Sequence, residues 1–391
     1  MDFDGWAAMT VLTEFLQIDK VRGGVFLSHL NVLLHCCQVQ LSASSPQNRG
    51  LFNVLYTQHP GSLSGLQALS KMPPKLVAEG MIQILGQTAN SVVYAVADDS
   101  DTGRARDSVS VLKGGTVWYR GREALGPGQS AEESDERARK EAEIYEALGK
   151  HDRILNFIAL EVADVDEGME PKAWALRLER APHGPLRDCI VSSQANPPNV
   201  QTRLEMAIQF AEGVAHMHRH RVIWGDLSTR NALLFDNCYV KLGDFADSDV
   251  VDKYPNDWYG CEVRYCPPGS ARPNNHIVGT VNREIFALGT AIYEITEWKV
   301  PYGPPVEVLE DEVIAALVDG KLPEFNGDNA AEAVIRGCWE YKYKSSQQAL
   351  EDLQRLKGNS IRHNVGGVES LKLLVLNGLE YMKRLFLWSK T

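Results

Sequence analysis

Cysteine is scarce in this chain: seven in 391 residues, at positions 36, 37, 189, 238, 261, 266 and 338, an odd number with no C-x-x-C unit. That excludes a secreted disulfide framework and a thiolate zinc ribbon, and the expectation is reduced thiols in an intracellular, cytoplasmic protein. Long apolar runs are missing too. The most apolar early stretch, Val25 to Leu41, is broken by Ser28, His29, Asn31, His35 and Gln38. It falls short of the roughly 20 apolar residues that cross a bilayer, so no transmembrane segment is expected. The opening Met-Asp-Phe-Asp lacks a basic n-region and does not read as a signal peptide. Positive charge is in deficit, with 40 Lys and Arg against 51 Asp and Glu and a net charge of −11. This balance speaks against a nucleic-acid partner held through phosphate contacts, which needs a basic face that releases counterions. What is present, 44% apolar and 23% charged residues, suits a globular protein with a sizeable core.

Composition divides the chain into three regions. Residues 1–75 form an extension to which no role is assigned, ending at Met72-Pro73-Pro74. Residues 76–179 read as short strands, at Met81 to Leu85, Val92 to Ala97, Val109 to Lys113, Leu155 to Val162 and Ala173 to Leu178. One helix interrupts them. Ser130-Ala131-Glu132-Glu133 fits a capping box, and Ala138, Glu141, Tyr145 and Leu148 recur at helical spacing on its inward face. Residues 183–355 turn helical, as at Arg203 to His218 and Arg283 to Trp298, around a strand-rich interlude from Val222 to Asp244. Residues 356–391 form a tail whose Leu371, Leu374, Leu385 and Phe386 share one helical face. Asp98 to Asp107 and Gly114 to Gln129 read as surface insertions. The expected fold class is α+β, a small β-rich lobe with one helix followed by a larger α-rich lobe.

The interlude carries the chemistry. Asp226, Asn231 and Asp244 sit in loops beside short apolar strands, Asn231 five and Asp244 eighteen residues after Asp226. A carboxylate, an amide and a second carboxylate at neighbouring strand ends can hold Mg²⁺ through oxygen and leave one carboxylate to orient a hydroxyl nucleophile. Singly, an Asp beside a strand is a turn residue far more often than a ligand, and the joint pattern is what discriminates.

Asp226-Leu227-Ser228-Thr229-Arg230-Asn231, followed by Asp244-Phe245-Ala246, resembles the catalytic and metal-binding loops of eukaryotic protein kinases, with a tyrosine-kinase-like flavour. The resemblance runs in order from about residue 77 to 355. It implies the bilobal protein-kinase-like fold, with an N-lobe over 76–179 and a C-lobe over 183–355. It also implies ATP and Mg²⁺ as cofactors and a protein substrate. Within it Lys113 resembles the phosphate-binding lysine and Glu141 its ion-pair partner, while Asp226 and Arg230 join the catalytic set and Asn231 and Asp244 hold the metal. Gly86, Val93, Val111 and Leu233 surround the nucleotide, and the backbone of Glu179 and Ala181 meets adenine. Arg264 to Gly269 is similar to the end of an activation segment, Glu284 to Gly289 to the buried helix after it, and Cys338-Trp339 to a late helix motif. The implied activity is ATP-dependent transfer to a protein hydroxyl, with a lean towards Ser/Thr. Trp224, Phe245, Tyr145 and Phe157 match the positions of a stack joining the lobes.

Departures from the family pattern keep two other readings open. The glycine-rich loop reads Gly86-Gln87-Thr88-Ala89-Asn90-Ser91, Gly225 stands for the arginine before the catalytic aspartate, Ala246 for a glycine and Gly269 for a glutamate. These support a catalytically weak or inactive scaffold, against which stands the presence of all five polar catalytic residues. Gly225-Asp226 with Asn231 is also similar to the loop of aminoglycoside and choline kinases, against which stand Arg264 to Pro268, Glu284 and Cys338-Trp339. The missing arginine also argues against control by activation-loop phosphorylation, and Ser248, Tyr254 and Tyr259 read as solvated loop residues.

Overall fold

A computed structural model describes residues 80–88, 90–97, 103–119, 122–123, 131–163, 171–251, 253, 262–268 and 280–358. The extension, the capping box at Ser130, Tyr254, Tyr259, Gly269 and the tail from 359 onward lie outside the described residues. All described residues belong to one compact unit, Ser64–Thr391.

The first lobe is an antiparallel sheet. Strands β1 (Ile82–Gln87), β2 (Val92–Val96) and β3 (Ser110–Gly114) are followed by a minimal hairpin, β4 (Trp118–Tyr119) with β5 (Arg122–Glu123). Helix α1 (Ala131–Leu148) then leads to β6 (Phe157–Ala163) and β7 (Lys172–Glu179), and the five main strands pair in the order β1-β2-β3-β7-β6. The α1 sequence is mostly charged, and its buried stripe of Ala138, Glu141, Ala142, Tyr145 and Leu148 keeps i, i+3, i+4 spacing and lies against the sheet.

The second lobe contains α2 (Leu186–Ser192), α3 (Val200–Arg219), β8 (Val222–Ile223), β9 (Ala232–Phe235), β10 (Tyr239–Leu242) and β11 (Asp249–Val250). After them come α4 (Val281–Glu297), α5 (Glu310–Val318), α6 (Glu332–Trp339) and α7 (346–358). Helix α3 starts where the Asn199 side chain accepts the Thr202 N–H at 2.9 Å. In α4 every residue from Glu284 to Ile295 is buried, so this helix is enclosed on all sides and serves as the lobe's axis.

Five rings run from one lobe into the other. Phe157 stacks on Tyr145 at 5.5 Å, Tyr145 meets Phe245 edge-on at 4.9 Å, Phe245 lies 6.0 Å from Trp224, and Trp224 lies 5.8 Å from Phe210. The four expected aromatics are thus contiguous, and Phe210 of α3 extends them. Each pair adds about 0.5–1.5 kcal/mol beyond area burial, which couples α1 mechanically to the loops after β8 and β10.

Strand and helix ends differ from the sequence expectation by at most three residues, the usual margin where chain ends fray. The reading of Asp98 to Asp107 as a surface insertion is corrected in part. Ala105, in a short 3₁₀ turn, is fully buried, and Arg180 Nη1 donates to the carbonyls of Ala105 and Arg106, each at 2.9 Å. The reading of Gly114 to Gln129 is corrected likewise, since Thr116 and Val117 are buried in the first lobe.

Candidate active site

Lys113 sits on the central strand β3, opposite Val93 of β2 and Leu176 of β7. Alternation along the strand puts Val111 and Lys113 on the face towards α1, while Leu112 joins the apolar cluster on the other face. Lys113 is only 5% exposed and Glu141, on the inner face of α1, only 3%. Lys113 Nζ donates to both Glu141 oxygens at 2.7 and 2.8 Å and to Asp244 Oδ1 at 2.6 Å. Glu141 Oε1 also accepts the Phe245 N–H at 3.0 Å, which ties α1 to the loop after β10.

Burial disfavours the charged form of Lys113, but Asp244 and Glu141 overcome it and raise its pKa above the usual lysine value. Burial pushes the Glu141 carboxyl up against the pull of Lys113. For Asp244 burial acts in the same direction, yet Lys113 prevails and holds it below the ordinary carboxylate value. The Asp244 side chain is 43% exposed and so stays accessible from solvent. Its φ of +56° is left-handed, a conformation that Asp tolerates better than most residues.

Asp226 lies in the turn between β8 and β9. The preceding Gly225 N–H donates to Glu284 Oε1 of α4 at 2.9 Å, which anchors the turn to the axis helix. The other Glu284 oxygen is held by His218 Nε2 at 2.7 Å, and Ser346 bonds His218 Nδ1 at 2.9 Å. His218 escapes sequence reasoning, because a histidine alternating with His216 and His220 at a helix end looks like part of a surface-exposed basic turn. Asn231 Nδ2 donates to the Asp226 carbonyl at 2.8 Å and to its Oδ2 at 2.9 Å, and among the described residues no donor is placed on Asn231 Oδ1. Arg230 Nη2 lies 3.2 and 3.4 Å from the two Asp226 oxygens. Burial raises the Asp226 pKa to about 6 despite the opposing Arg230 charge and the Asn231 hydrogen bond.

The remaining expected residues fall around this cluster. Gly86 pairs with Val93 across the β1–β2 hairpin, and Val93, Val111 and Leu233 all belong to, or pack on, the same apolar core. Glu179 ends β7, with its carboxylate turned to Lys241 and to the Asn156 N–H, while its own N–H donates to the Asn156 carbonyl. Ala181 follows, with no protein acceptor for its N–H among the described residues. The glycine-poor turn is closed by its hydroxyls. Thr88 Oγ1 accepts the N–H of Ser91 at 3.0 Å and of Asn90 at 3.3 Å, and lies 3.0 Å from Ser91 Oγ.

The reading of Ser248 as a solvated loop residue is corrected: it is fully buried, with its hydroxyl donating to the Trp224 carbonyl at 2.8 Å. A cavity of about 240 Å³ between α3 and α4, lined by Arg203, Thr296, Glu297 and Asn329, contains none of the groups above. Among the described residues no group of three or more His, Cys, Asp or Glu side chains is placed to hold a metal unaided. No described helix is long and apolar enough to cross a membrane.

Comparison with protein families matches residues 126–355, more than half of the chain, to the family described as protein tyrosine and serine/threonine kinase. Among curated relatives, the BDNF/NT-3 growth factors receptor of Gallus gallus is 29% identical over 170 residues, 40% of this chain and 20% of the receptor. The insulin-like growth factor 1 receptor of Bos taurus is 26% identical over 171 residues, 41% of this chain and 25% of the receptor. The insulin receptor of Xenopus laevis is 26% identical over 197 residues, 46% of this chain and 14% of the receptor. The matched segment therefore spans a quarter or less of these relatives. Strand-rich first lobe, helical second lobe and family match agree, and the chain belongs to the eukaryotic protein kinases, in the protein tyrosine and serine/threonine kinase family.

Proposed function

We propose that this chain transfers the γ-phosphoryl group of ATP to a protein hydroxyl. The observation that carries the reading is the meeting of Lys113 with Glu141 and Asp244 within 2.8 Å, across three separate elements. Two carboxylates facing one ammonium leave an excess negative charge, which suits a divalent cation carrying phosphate. Asn231 Oδ1 and Asp244 are the hard oxygen donors that would hold Mg²⁺, completed by phosphates and water. The bound ion would neutralise charge on the phosphates. Lys113, steered by Glu141, would fix the phosphates; Gly86, Val93, Val111 and Leu233 would enclose the base, with hydrogen bonds from the backbone of Glu179 and Ala181.

Asp226 would orient the acceptor hydroxyl and take its proton, and Arg230 would balance its charge. The contact between Arg230 and Asp226 gives no support to the sequence lean towards Ser/Thr, and the proposal is drawn at the level of a protein hydroxyl. Incubation of purified chain with Mg-ATP and mixed Ser, Thr and Tyr peptides, read by mass shift, tests it. Incorporation is expected, and a yield no higher than that of Asp226→Asn would overturn the reading.

The Thr88 hydroxyl bears on how tightly ATP binds. It occupies backbone N–H groups that a glycine-rich turn offers to phosphate. Thr88→Gly is expected to tighten ATP binding about three- to tenfold, since a freed N–H bonded to a charged oxygen contributes on the order of 1–2 kcal/mol, less the glycine's entropy. Calorimetric titration of both proteins with Mg-ATP measures this directly, and an equal or weaker Kd in the variant counts against it.

A further inference from the structure

Glu262 immediately precedes the 3₁₀ turn Val263–Tyr265, near the end of the segment that begins at Asp244. Arg187 Nη1 donates to both of its oxygens at 2.9 Å, and Arg230 Nε forms an ion pair with Oε2 at 3.1 Å. Arg187 is itself anchored in the core, since its Nε and Nη2 donate to the buried Glu294 of α4 at 2.6 and 2.9 Å. The Tyr265 hydroxyl donates to the same Glu294 at 2.5 Å and receives the Thr229 N–H at 3.2 Å. The chain Glu294–Arg187–Glu262–Arg230–Asp226 thus alternates in charge from the axis helix to the candidate base. Burial favours the neutral form of Glu262, yet Arg187 and Arg230 outweigh it and hold the carboxyl below its ordinary value.

We propose that Glu262 is a positioning residue that does, with the chain's own carboxylate, what a phosphate on this segment would otherwise do. It clamps the segment to Arg187 and shares Arg230 with Asp226. Gly225 offers no side chain to receive a phosphate, and Arg187 and Arg230 are already paired. Sharing also matters for chemistry. Arg230 reaches Asp226 only at 3.2 and 3.4 Å, longer than a strong charge-assisted bond of about 2.7–2.9 Å. Released from Glu262, its guanidinium would close on Asp226 and occupy the oxygens that must meet the acceptor hydroxyl. The catalytic half of this inference rests on the proposed transfer activity, whereas the structural half does not.

The test uses the full chain treated with phosphatase and verified by intact mass, in wild-type, Glu262→Gln and Glu262→Asp forms. One readout is hydrogen exchange at the Tyr265 and Cys266 amides, which donate to the carbonyls of Glu262 and Val263 at 2.8 and 3.0 Å. A second is kcat and KM for ATP with the peptide mixture, and melting curves confirm that each variant folds. Protection in unphosphorylated wild type, retained in Glu262→Asp and reduced at least about tenfold in Glu262→Gln, supports the clamp. A kcat lowered about tenfold or more in Glu262→Gln, with KM for ATP within about twofold, supports the sharing of Arg230. Wild-type protection or turnover that requires phosphate overturns the proposal, as does a Glu262→Gln protein that matches wild type in exchange. Protected amides in a wild type without turnover would uphold the clamp and reject the transfer activity, so the two failures are distinguishable.

Discussion

Asp226→Asn is expected to cut phosphoryl transfer by about 10²- to 10⁴-fold while raising the melting temperature. An amide cannot accept the hydroxyl proton, so the loss falls on kcat, with ATP affinity held by Lys113 and Asp244 unchanged. The stability gain follows from the direction of the Asp226 shift. Its pKa rises from an ordinary 3.8 to about 6 in the fold, so the folded state favours the protonated acid. The stabilisation that proton supplies is fully present below 3.8 and is lost as pH rises through about 6. At pH 7 the buried carboxylate therefore costs up to about 3 kcal/mol, from about two pH units at 1.36 kcal/mol each. Replacing it by a neutral isostere recovers part of that, a rise of several degrees in Tm. The same shift sets the rate profile. Asp226 must be ionised to act as base, so kcat/KM is expected to rise with pH, reach half its maximum near pH 6 and level off above pH 7. A variant that loses activity and stability together, or a rate independent of pH between 5 and 7, would contradict the assignment.

Much of this site is legible in the sequence because its residues lie in short motifs at set spacing. Asp226, Asn231 and Asp244 are separated by only a turn and a hairpin, and Lys113 ends a run with strand alternation. The family match begins at residue 126, after Lys113, and the strand bearing that lysine is hydrogen-bonded between β2 and β7. Only residues 115–125 separate that strand from the matched region. What the sequence conceals are partners chosen by tertiary packing. Glu262 meets Arg187 across 75 positions and Arg187 meets Glu294 across 107, and no local pattern encodes either distance. Thr88 is hidden for a different reason. Read against a glycine template it is a loss, whereas its hydroxyl closes the turn and takes up the N–H groups there. Ala105 looks solvated amid Arg and Asp neighbours, but it is fully buried where its segment packs against β1 and β2.

Gly225→Ala is expected to destabilise the chain by about 2–4 kcal/mol, enough to lower Tm by roughly 5–15 °C. The backbone at Gly225 has φ +84°, a region where a Cβ costs about 1–2 kcal/mol. Space adds a second penalty: an ideal Cβ would stand 2.1 Å from the Asp247 carbonyl oxygen and 2.9 Å from its carbon. That carbonyl cannot easily retreat. The next residue, buried Ser248, donates through its hydroxyl to the Trp224 carbonyl at 2.8 Å and through its N–H to Phe245 at 3.0 Å, so the backbone from Phe245 to Ser248 is pinned around the glycine. Gly149→Ala serves as the control, because Gly149 also has a positive φ, +64°, but a Cβ there meets nothing within 4 Å. It should lose only the conformational part, about 1–2 kcal/mol. The difference between the two melting curves isolates the clash, and equal losses would dismiss it. The same geometry gives the missing arginine a structural reason. Gly225→Arg would drive its Cβ into Asp247 and push the loop carrying Asp244 away from Lys113. Restoring the family's residue at this one position should therefore lower both stability and ATP binding, because the loop from Asp244 to Ser248 has packed into the space that the side chain would need.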